Sequence, residues 1–522
     1  MKVLLAAVNA KYIHSNLAVY SLRAYARQYR KEIAIAEYTI NQTIDDILMD
    51  IYLRQPDVLC ISCYLWNILY VGQIVAEVPK LLPHTQIWLG GPEVSYDAPD
   101  ALKRYPGTSG VMRGEGEATF LELMGYWKKQ GRGNEKGTLS EIKGIVYRDG
   151  SGQIRENPLR PVLDLSSVPF IYEHIGDFKN RIIYYESGRG CPFSCSYCLS
   201  SIDKCLRFRD IGIVKDELQF FIDHEVPQVK FVDRTFNCRH DHAMAVWTYI
   251  KEHDRGITNF HFEVAADLLN EEEIRLIRSM RPGLIQLEIG VQSANRETLR
   301  EIRRAMDLDK VRDRVDRIRE GGNIHRHLDL IAGLPFEGYE SFARSFDIVY
   351  AMKPEQLQLG FLKVLKGSLM HERAEEYGLV YQERPPYEVL KTKWLSYGEI
   401  IRLKRVEEMT EVYYNSGQFR HTMEYLRRKF DSPFSMYEAL AEYYNENGLL
   451  GMQHSRLGRY EILSRFAGLY LPEGAEKKEC MEWLTLDLYL RDNVKNRPAF
   501  LGEERTGKEE AAAFFKKEAQ QY

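Results

Sequence analysis

The chain has 522 residues, 44% of them hydrophobic and 28% charged, with a net charge of −4. This is an ordinary globular composition, and the length predicts two to four domains because a single core stops growing well below it. The balance excludes a surface built on bulk positive charge for nucleic acid, leaving only a local basic groove open, and no apolar stretch nears the roughly 20 residues of a membrane span.

Residues 1–10 carry one lysine and an apolar run of about six residues, shorter than a signal peptide requires, and read as a first buried strand. Eight unevenly placed cysteines suit reduced thiols and a cytoplasmic protein rather than a disulfide framework. Up to about residue 130 strand and helix patterns alternate. A strand at 2–7 precedes a helix with Ala18, Leu22, Tyr25 and Ala26 on one face. Next come a strand at 32–39 and a helix to Leu53, opened by Thr43 and Asp46 in the manner of a capping box. Strands at 58–63, 86–89 and 109–113 alternate with helices at 69–82 and 117–128. This order predicts a parallel, doubly wound, flavodoxin-like (Rossmann) sheet over residues 1–135, with ligands at the carboxyl ends of its strands. The loops there are polar and glycine-bearing: NAKYIHSN (9–16), SCYLWN (62–67), GGPEVS (90–95) and RGEGEA (113–118).

Residues 136–180 read as a hairpin and linker, with strands at 142–148 and 153–157 about Asp149-Gly150-Ser151-Gly152, followed by a proline-rich stretch. From 181 to 368 six strands, at 182–186, 228–233, 259–265, 284–290, 327–331 and 356–362, alternate with helices. They predict a partial (β/α)6 barrel of the TIM type, whose chemistry sits in the loops after the strands. Residues 369–522 read as a helical domain covering the open side of the barrel. Its helices fall at 397–415, 421–430, 435–445 and 478–491, and a Lys/Glu-rich tail follows. Tyr413, Tyr414, Phe419 and Tyr425 are expected to pack its core.

The loop after the first barrel strand holds Cys191, Cys195 and Cys198, spaced C-x3-C-x2-C within ESGRGCPFSCSYC (186–198). Thiolates this close along one loop can converge on one inorganic centre, and soft sulfur favours iron–sulfur clusters or zinc. With Tyr197 before the third cysteine, the segment resembles the signature of the radical S-adenosylmethionine (SAM) superfamily. The resemblance implies a 4Fe-4S cluster on three cysteines, with the fourth iron taking the amino and carboxylate groups of SAM. It also implies roles along the later strands. FVDRTFN (231–237) lacks the usual GGE for the SAM amine, and Asp233 falls in a D-x-x-F variant of that segment. Glu263 would accept from the SAM ribose, the alternative being an interior ion pair. Gln292 and Ser293 emerge at the fourth strand end, Arg304 (or its neighbour Arg303) would face the SAM carboxylate, and Asp329 would hold water or an arginine near SAM. Cys205 stays open as a fourth ligand that would close the cluster. Cys60 and Cys63 read as core thiols or an incomplete zinc pair, and Cys238 and Cys480 stand alone.

Upstream of this motif, the SCY, GGP and GEGE segments resemble the cobalamin-binding half of the cobalamin-dependent branch. That resemblance implies cobalamin contacts from Tyr12, His14, Ser62, Gly90, Gly91 and Glu115. No D-x-H-x-x-G occurs, so cobalamin is expected without a histidine on cobalt. The whole reads as a radical SAM enzyme that reductively cleaves SAM, with cobalamin, to modify or methylate an unknown substrate. An external one-electron donor of the flavodoxin or ferredoxin type is implied, and neither a membrane nor a nucleic-acid surface is expected. Two alternatives stand beside it: a radical SAM enzyme whose first domain no longer holds cobalamin, and a non-catalytic iron–sulfur electron-transfer protein.

Overall fold

The structure, a computed structural model, describes residues 1–130, 138–202, 204–491, 498–501 and 513. The amino-terminal sheet contains β1 (Val3–Asn9), β2 (Ile33–Thr39), β3 (Val58–Ser62), β4 (Gln86–Gly90), β5 (Gly110–Met112), β6 (Ile145–Arg148) and β7 (Ile154–Glu156). Their order is β2-β1-β3-β4-β5-β6-β7. The first five are parallel, the flavodoxin-like arrangement expected for alternating strands and helices. Every residue of β1 is buried, which explains its unbroken apolar run: helices cover both faces.

Three details differ from the sequence expectation. The hairpin at β6–β7 is not part of a free linker but extends the sheet, pairing antiparallel with β5 through Val111 and Val146. Both valines are fully buried, and the added strands cover an otherwise open edge. In the first helix (Leu17–Tyr25) the residues turned fully inward are Val19 and Ser21, a stripe shifted from the predicted one. Thr43 does cap its helix, accepting from the Asp46 amide, but its hydroxyl donates to the Asp46 carboxylate, so the return half of the box is missing.

Six parallel strands form the second sheet: β8 (Ile183–Tyr185), β9 (Gln228–Phe231), β10 (Asn259–Val264), β11 (Ile285–Gln292), β12 (His325–Ala332) and β13 (Gln356–Phe361), in sequential order and unclosed. Their outward residues pack a large apolar core with the surrounding helices. In β11 burial alternates strictly, the inward positions Gln286, Glu288, Gly290 and Gln292 being the half-buried ones.

The last part begins with a short antiparallel pair, Val380–Tyr381 with Val389–Lys391, ahead of the first expected helix. Helices Tyr397–Thr410, Arg420–Arg427, Pro433–Glu446, Arg456–Tyr470 and Ala475–Arg491 follow. Arg456–Tyr470 escaped the sequence reading because Gly458 and Gly468 and a nearly even spread of polar residues blur its stripe. The Lys/Glu-rich tail lies outside the described residues, residue 513 apart. Tyr413 and Phe419 are buried in the core as expected. Asn415 ends a wide π-turn (Glu411–Asn415) and faces β13, its side chain accepting from the Leu357 amide at 2.8 Å and donating to the Leu357 carbonyl at 2.9 Å. One amide side chain thereby imitates a neighbouring strand and closes the exposed edge of the barrel sheet. Among the described residues no helix is long and apolar enough to cross a membrane.

Candidate functional site

After β8 the chain enters the cysteine loop. Gly188–Arg189 pairs with Arg207–Phe208, and the three cysteines follow at once. Cys191 and Cys195 are buried and Cys198 partly so, whereas Cys205 is exposed. The loop is pinned from two directions: the Ser196 amide donates to the Ile302 carbonyl, and the Met370 amide donates to that of Ser196. Gly190 turns the chain at φ 93°, and a Cβ there would sit 2.7 Å from the Cys205 carbonyl oxygen. A side chain at that position would push the loop apart.

Arg304 closes the other side. Its guanidinium donates to Cys195 Sγ at 3.8 Å, to the Tyr197 hydroxyl at 3.4 Å and to the Gly290 carbonyl. Burial raises the Cys195 thiol, and the cation beside it pulls the other way. Arg304 Nε and Gln292 Oε1 are both buried with no hydrogen-bond partner. Gln292 also holds φ at 72° at a register shift in the sheet, and a Cβ at Gly290 would meet its amide nitrogen at 2.3 Å. Unsatisfied polar atoms and left-handed backbone at one strand end are what an absent polar ligand leaves behind. The soft donor set with its fixed cation fits an anionic iron–sulfur cluster, and the orphaned atoms beside it fit the polar amino-acid end of SAM. Arg303, the alternative, has positive φ (55°), while Arg304 alone is brought to the cysteines.

The other residues singled out in this barrel divide. Glu263 sits at the end of β10, 4.0 Å from Arg234, and burial raises its carboxyl to about 7. Asp329 lies beside His327 inside the barrel, with burial again raising its carboxyl. Asp233 and Ser293 do not offer free groups. Asp233 is buried and accepts from the Ser187 amide (3.0 Å) and hydroxyl (2.7 Å), and Ser187 also contacts His242 Nε2 at 3.0 Å. It anchors the strand that leads into the cysteines. The Ser293 hydroxyl is fully buried and donates to Glu337, so it turns from the barrel mouth toward the following loop.

A cavity of about 870 Å³ joins the carboxyl ends of both sheets. From the first sheet it is lined by Ser62, Tyr64, Gly90, Gly91 and the 112–117 segment, and from the barrel by Tyr184–Glu186, Arg189 and Arg234. The size suits a large cofactor. Gly91 is the tightest point: φ is 109°, and a Cβ would stand 2.5 Å from the Cys63 carbonyl. Gly91 thus packs its backbone directly on that of Cys63 at the cavity wall. Two of the six residues expected here are elsewhere. Tyr12 is exposed against Arg181, and His14, itself outside the lining, contacts the hydroxyl of the lining residue Tyr184 at 2.6 Å through Nδ1. The loop after β1 bends to bridge onto Ile182, which carries both side chains to the domain junction.

Glu115 lines the cavity but is not free. It accepts from Arg189 (2.8 Å), Arg207 and the Leu163 amide. Arg189 also holds Glu117 at 2.8 Å and Glu186 at 2.7 Å. The GEGE segment is therefore an ionic clasp between the first domain and the loop two residues ahead of Cys191. Arg189 escaped the sequence reading, although its place next to the cysteines and the acidic pair at 115 and 117 were visible.

Three family models match this chain: "B12 binding domain" over residues 3–124, "Radical SAM superfamily" over 185–349 and "Protein of unknown function (DUF4080)" over 375–522. The cobalamin-dependent radical SAM methyltransferase TokK of Streptomyces tokunonensis is 24% identical over 405 residues, covering 70% of this chain and 56% of TokK. The 2-(S-pantetheinyl)-carbapenam-3-carboxylate methyltransferase of Streptantibioticus cattleyicolor is 24% identical over 468 residues, 81% of this chain and 67% of that one. The chain thus spans little more than half of TokK. Among solved structures, OxsB with aqua-cobalamin and S-adenosylmethionine bound superposes with a TM-score of 0.63 at 16% identity, over 92% of this chain and 78% of OxsB. TsrM from Kitasatospora setae, with cobalamin and a [4Fe-4S] cluster bound, gives 0.58 at 18%, over 74% and 82%. The cysteine loop and the paired strand ends fall within the two matched segments: residues 185–349 match the radical SAM superfamily model, and residues 3–124 match the B12-binding domain model.

Proposed function

We propose that this chain is a cobalamin-dependent radical SAM methyltransferase acting on a substrate still to be identified. The observation that carries the reading is the one cavity shared by two sets of strand ends, the first belonging to the B12-binding domain and the second bearing the cysteine loop. When bound, cluster, SAM and cobalamin would supply a one-electron reductant, a source of methyl and of a hydrogen-abstracting radical, and a methyl carrier. The chain's own residues position these groups and exclude water. Cys191, Cys195 and Cys198 would hold the cluster, with Arg304 as the fixed cation beside Cys195. Gln292 would direct its unpartnered carbonyl oxygen at the SAM amine, and Glu263 would accept from the ribose hydroxyls. Ser62, Gly90 and Gly91 would form the wall behind cobalamin. Asp233 and Asp329 act through neighbours, the former by holding Ser187 and the latter by facing His327.

The division into residues 1–135, 136–180, 181–368 and 369–522, a cytoplasmic setting, and reduction by a flavodoxin- or ferredoxin-type donor belong to the same proposal. Relatives support the methyltransferase reading, since several carry methyltransferase names. Anaerobic reconstitution tests it. About four cysteine-dependent irons and about one cobalamin per chain are expected, with 5′-deoxyadenosine formed from SAM on reduction. A preparation that holds the cluster but neither cobalamin nor SAM would leave an electron-transfer protein instead.

A further inference from the structure

A closed TIM-type barrel fills its interior with branched apolar side chains. Here four neighbouring strands, β9 to β12, send Lys230, His261, Glu288, His327 and Asp329 into the same space, with Lys230 registered opposite His261 and Glu288 opposite His327. One ligand atom from each of Glu288, His327 and Asp329 lies within 4.8 Å of the others. His261 Nε2 is 3.0 Å from Glu288 Oε2, and His327 Nε2 is 2.9 Å from Asp329 Oδ1. At such distances hydrogen bonds are expected. His261 Nε2, His327 Nε2 and Asp329 Oδ1 are all sealed from solvent, and none makes a hydrogen bond of good geometry. His261 as a whole is only 9% exposed. Lys230 donates to Glu288 Oε2 at 3.1 Å, which serves that oxygen and neither imidazole.

Imidazole nitrogens and carboxylate oxygens that converge to about 3 Å have the spacing of adjacent ligands, each about 2.1 Å from one ion. We propose that His261, Glu288, His327 and Asp329 bind a first-row divalent metal ion, of the zinc or manganese class, within the barrel. Glu288 is registered opposite both Glu263 on β10 and His327 on β12, so the ion would sit at the level of Glu263, near the carboxyl ends of the strands. Mixed imidazole and carboxylate donors suit such ions, whereas the cysteines suit iron. The ion would join three strands of an unclosed sheet at the point where apolar packing is missing. This site does not rest on the methyltransferase reading and stands or falls separately.

Manganese(II) is the probe, because thiolates compete for it weakly. The cluster-loaded, cobalamin-free full chain, stripped of other divalent ions, would be titrated anaerobically with Mn²⁺ while the six-line resonance of the free ion is followed. One ion bound per chain, displaced by Zn²⁺ and weakened roughly tenfold or more in Glu288→Gln and in His327→Gln, is expected. Iron content and circular dichroism establish that the variants are folded. Should a variant not fold, pulsed electron-spin resonance of the wild-type complex decides alone: ¹⁴N coupling from imidazole is expected. Absence of stoichiometric binding, absence of nitrogen coupling, or binding unchanged in folded variants would overturn the site.

Discussion

Replacing Arg189 by Met removes the one cation that joins Glu115, Glu117 and Glu186, while keeping most of the side-chain volume. Glu115 retains Arg207, so the loss falls on Glu117 and Glu186, of which Glu117 is the more buried, at 7% side-chain exposure. Burial works to raise the Glu117 carboxyl, and Arg189 overrides it and holds the group below its ordinary value. Breaking a buried pair from one side costs about 3–5 kcal/mol because a charge is left uncompensated. With Arg189 about one-fifth exposed and Glu186 able to turn toward water, the lower end, about 3 kcal/mol, is expected.

The pH dependence has a defined sign. A carboxylate whose folded pKa is depressed contributes stability that is present above its unfolded pKa and lost as pH falls through the folded one. The gap between wild type and Arg189→Met should therefore be full at pH 7 and shrink below pH 4. Differential unfolding of the amino-terminal domain in urea, at pH 7 and at pH 3, measures it. Arg189→Met/Glu117→Gln should recover part of the loss, since the uncompensated charge is gone. A gap under 1 kcal/mol at pH 7, or one independent of pH, would refute the clasp.

Gly91→Ala places a Cβ against the Cys63 carbonyl in a left-handed conformation, so a cost of about 1–3 kcal/mol and a lowered cobalamin content after reconstitution are expected, read by ultraviolet–visible quantitation. Arg304→Leu should abolish the SAM-induced change in the cluster's electron-spin spectrum at unchanged iron content. Arg304→Lys should restore little, because three differently directed contacts need the guanidinium fork. Asn415→Ala unpairs both backbone groups of Leu357, and about 2 kcal/mol of lost stability with faster hydrogen exchange at β13 is expected by exchange mass spectrometry.

The fold was legible because its signals are periodic. Alternating strands and helices, six regularly spaced barrel strands and three closely spaced cysteines each carry information along the chain itself. What escaped the sequence depends on partners far away in it. Nothing near Glu115 says that Arg189 and Arg207 will arrive there from 74 and 92 residues away. Nothing near Tyr12 or His14 says that their loop will bridge to Ile182 and leave the cavity. Ser293 looked like a ligand by its place at a strand end, but Glu337 on the next loop claims its hydroxyl. Arg304 could be placed by its spacing from Gln292, and its choice over Arg303 required the backbone turn that only the structure displays.

The barrel also clarifies where this protein keeps its stability. Most inward positions along β9 to β12 are polar, so the strands cannot be held by an interior core as in a closed barrel. Their outward faces are instead buried to completion: Val229, Phe231, Phe260, Phe262, Leu287, Leu328 and Leu330 are all 0% exposed. Each such side chain contributes about 1.5–3 kcal/mol through burial, which the helices outside the sheet supply without any help from within. Packing on one face leaves the other free to be chosen for chemistry. That freedom explains why Glu263 and Gln292 can carry buried, poorly satisfied groups: the apolar exterior holds their strands in place whether or not a ligand is there to satisfy them.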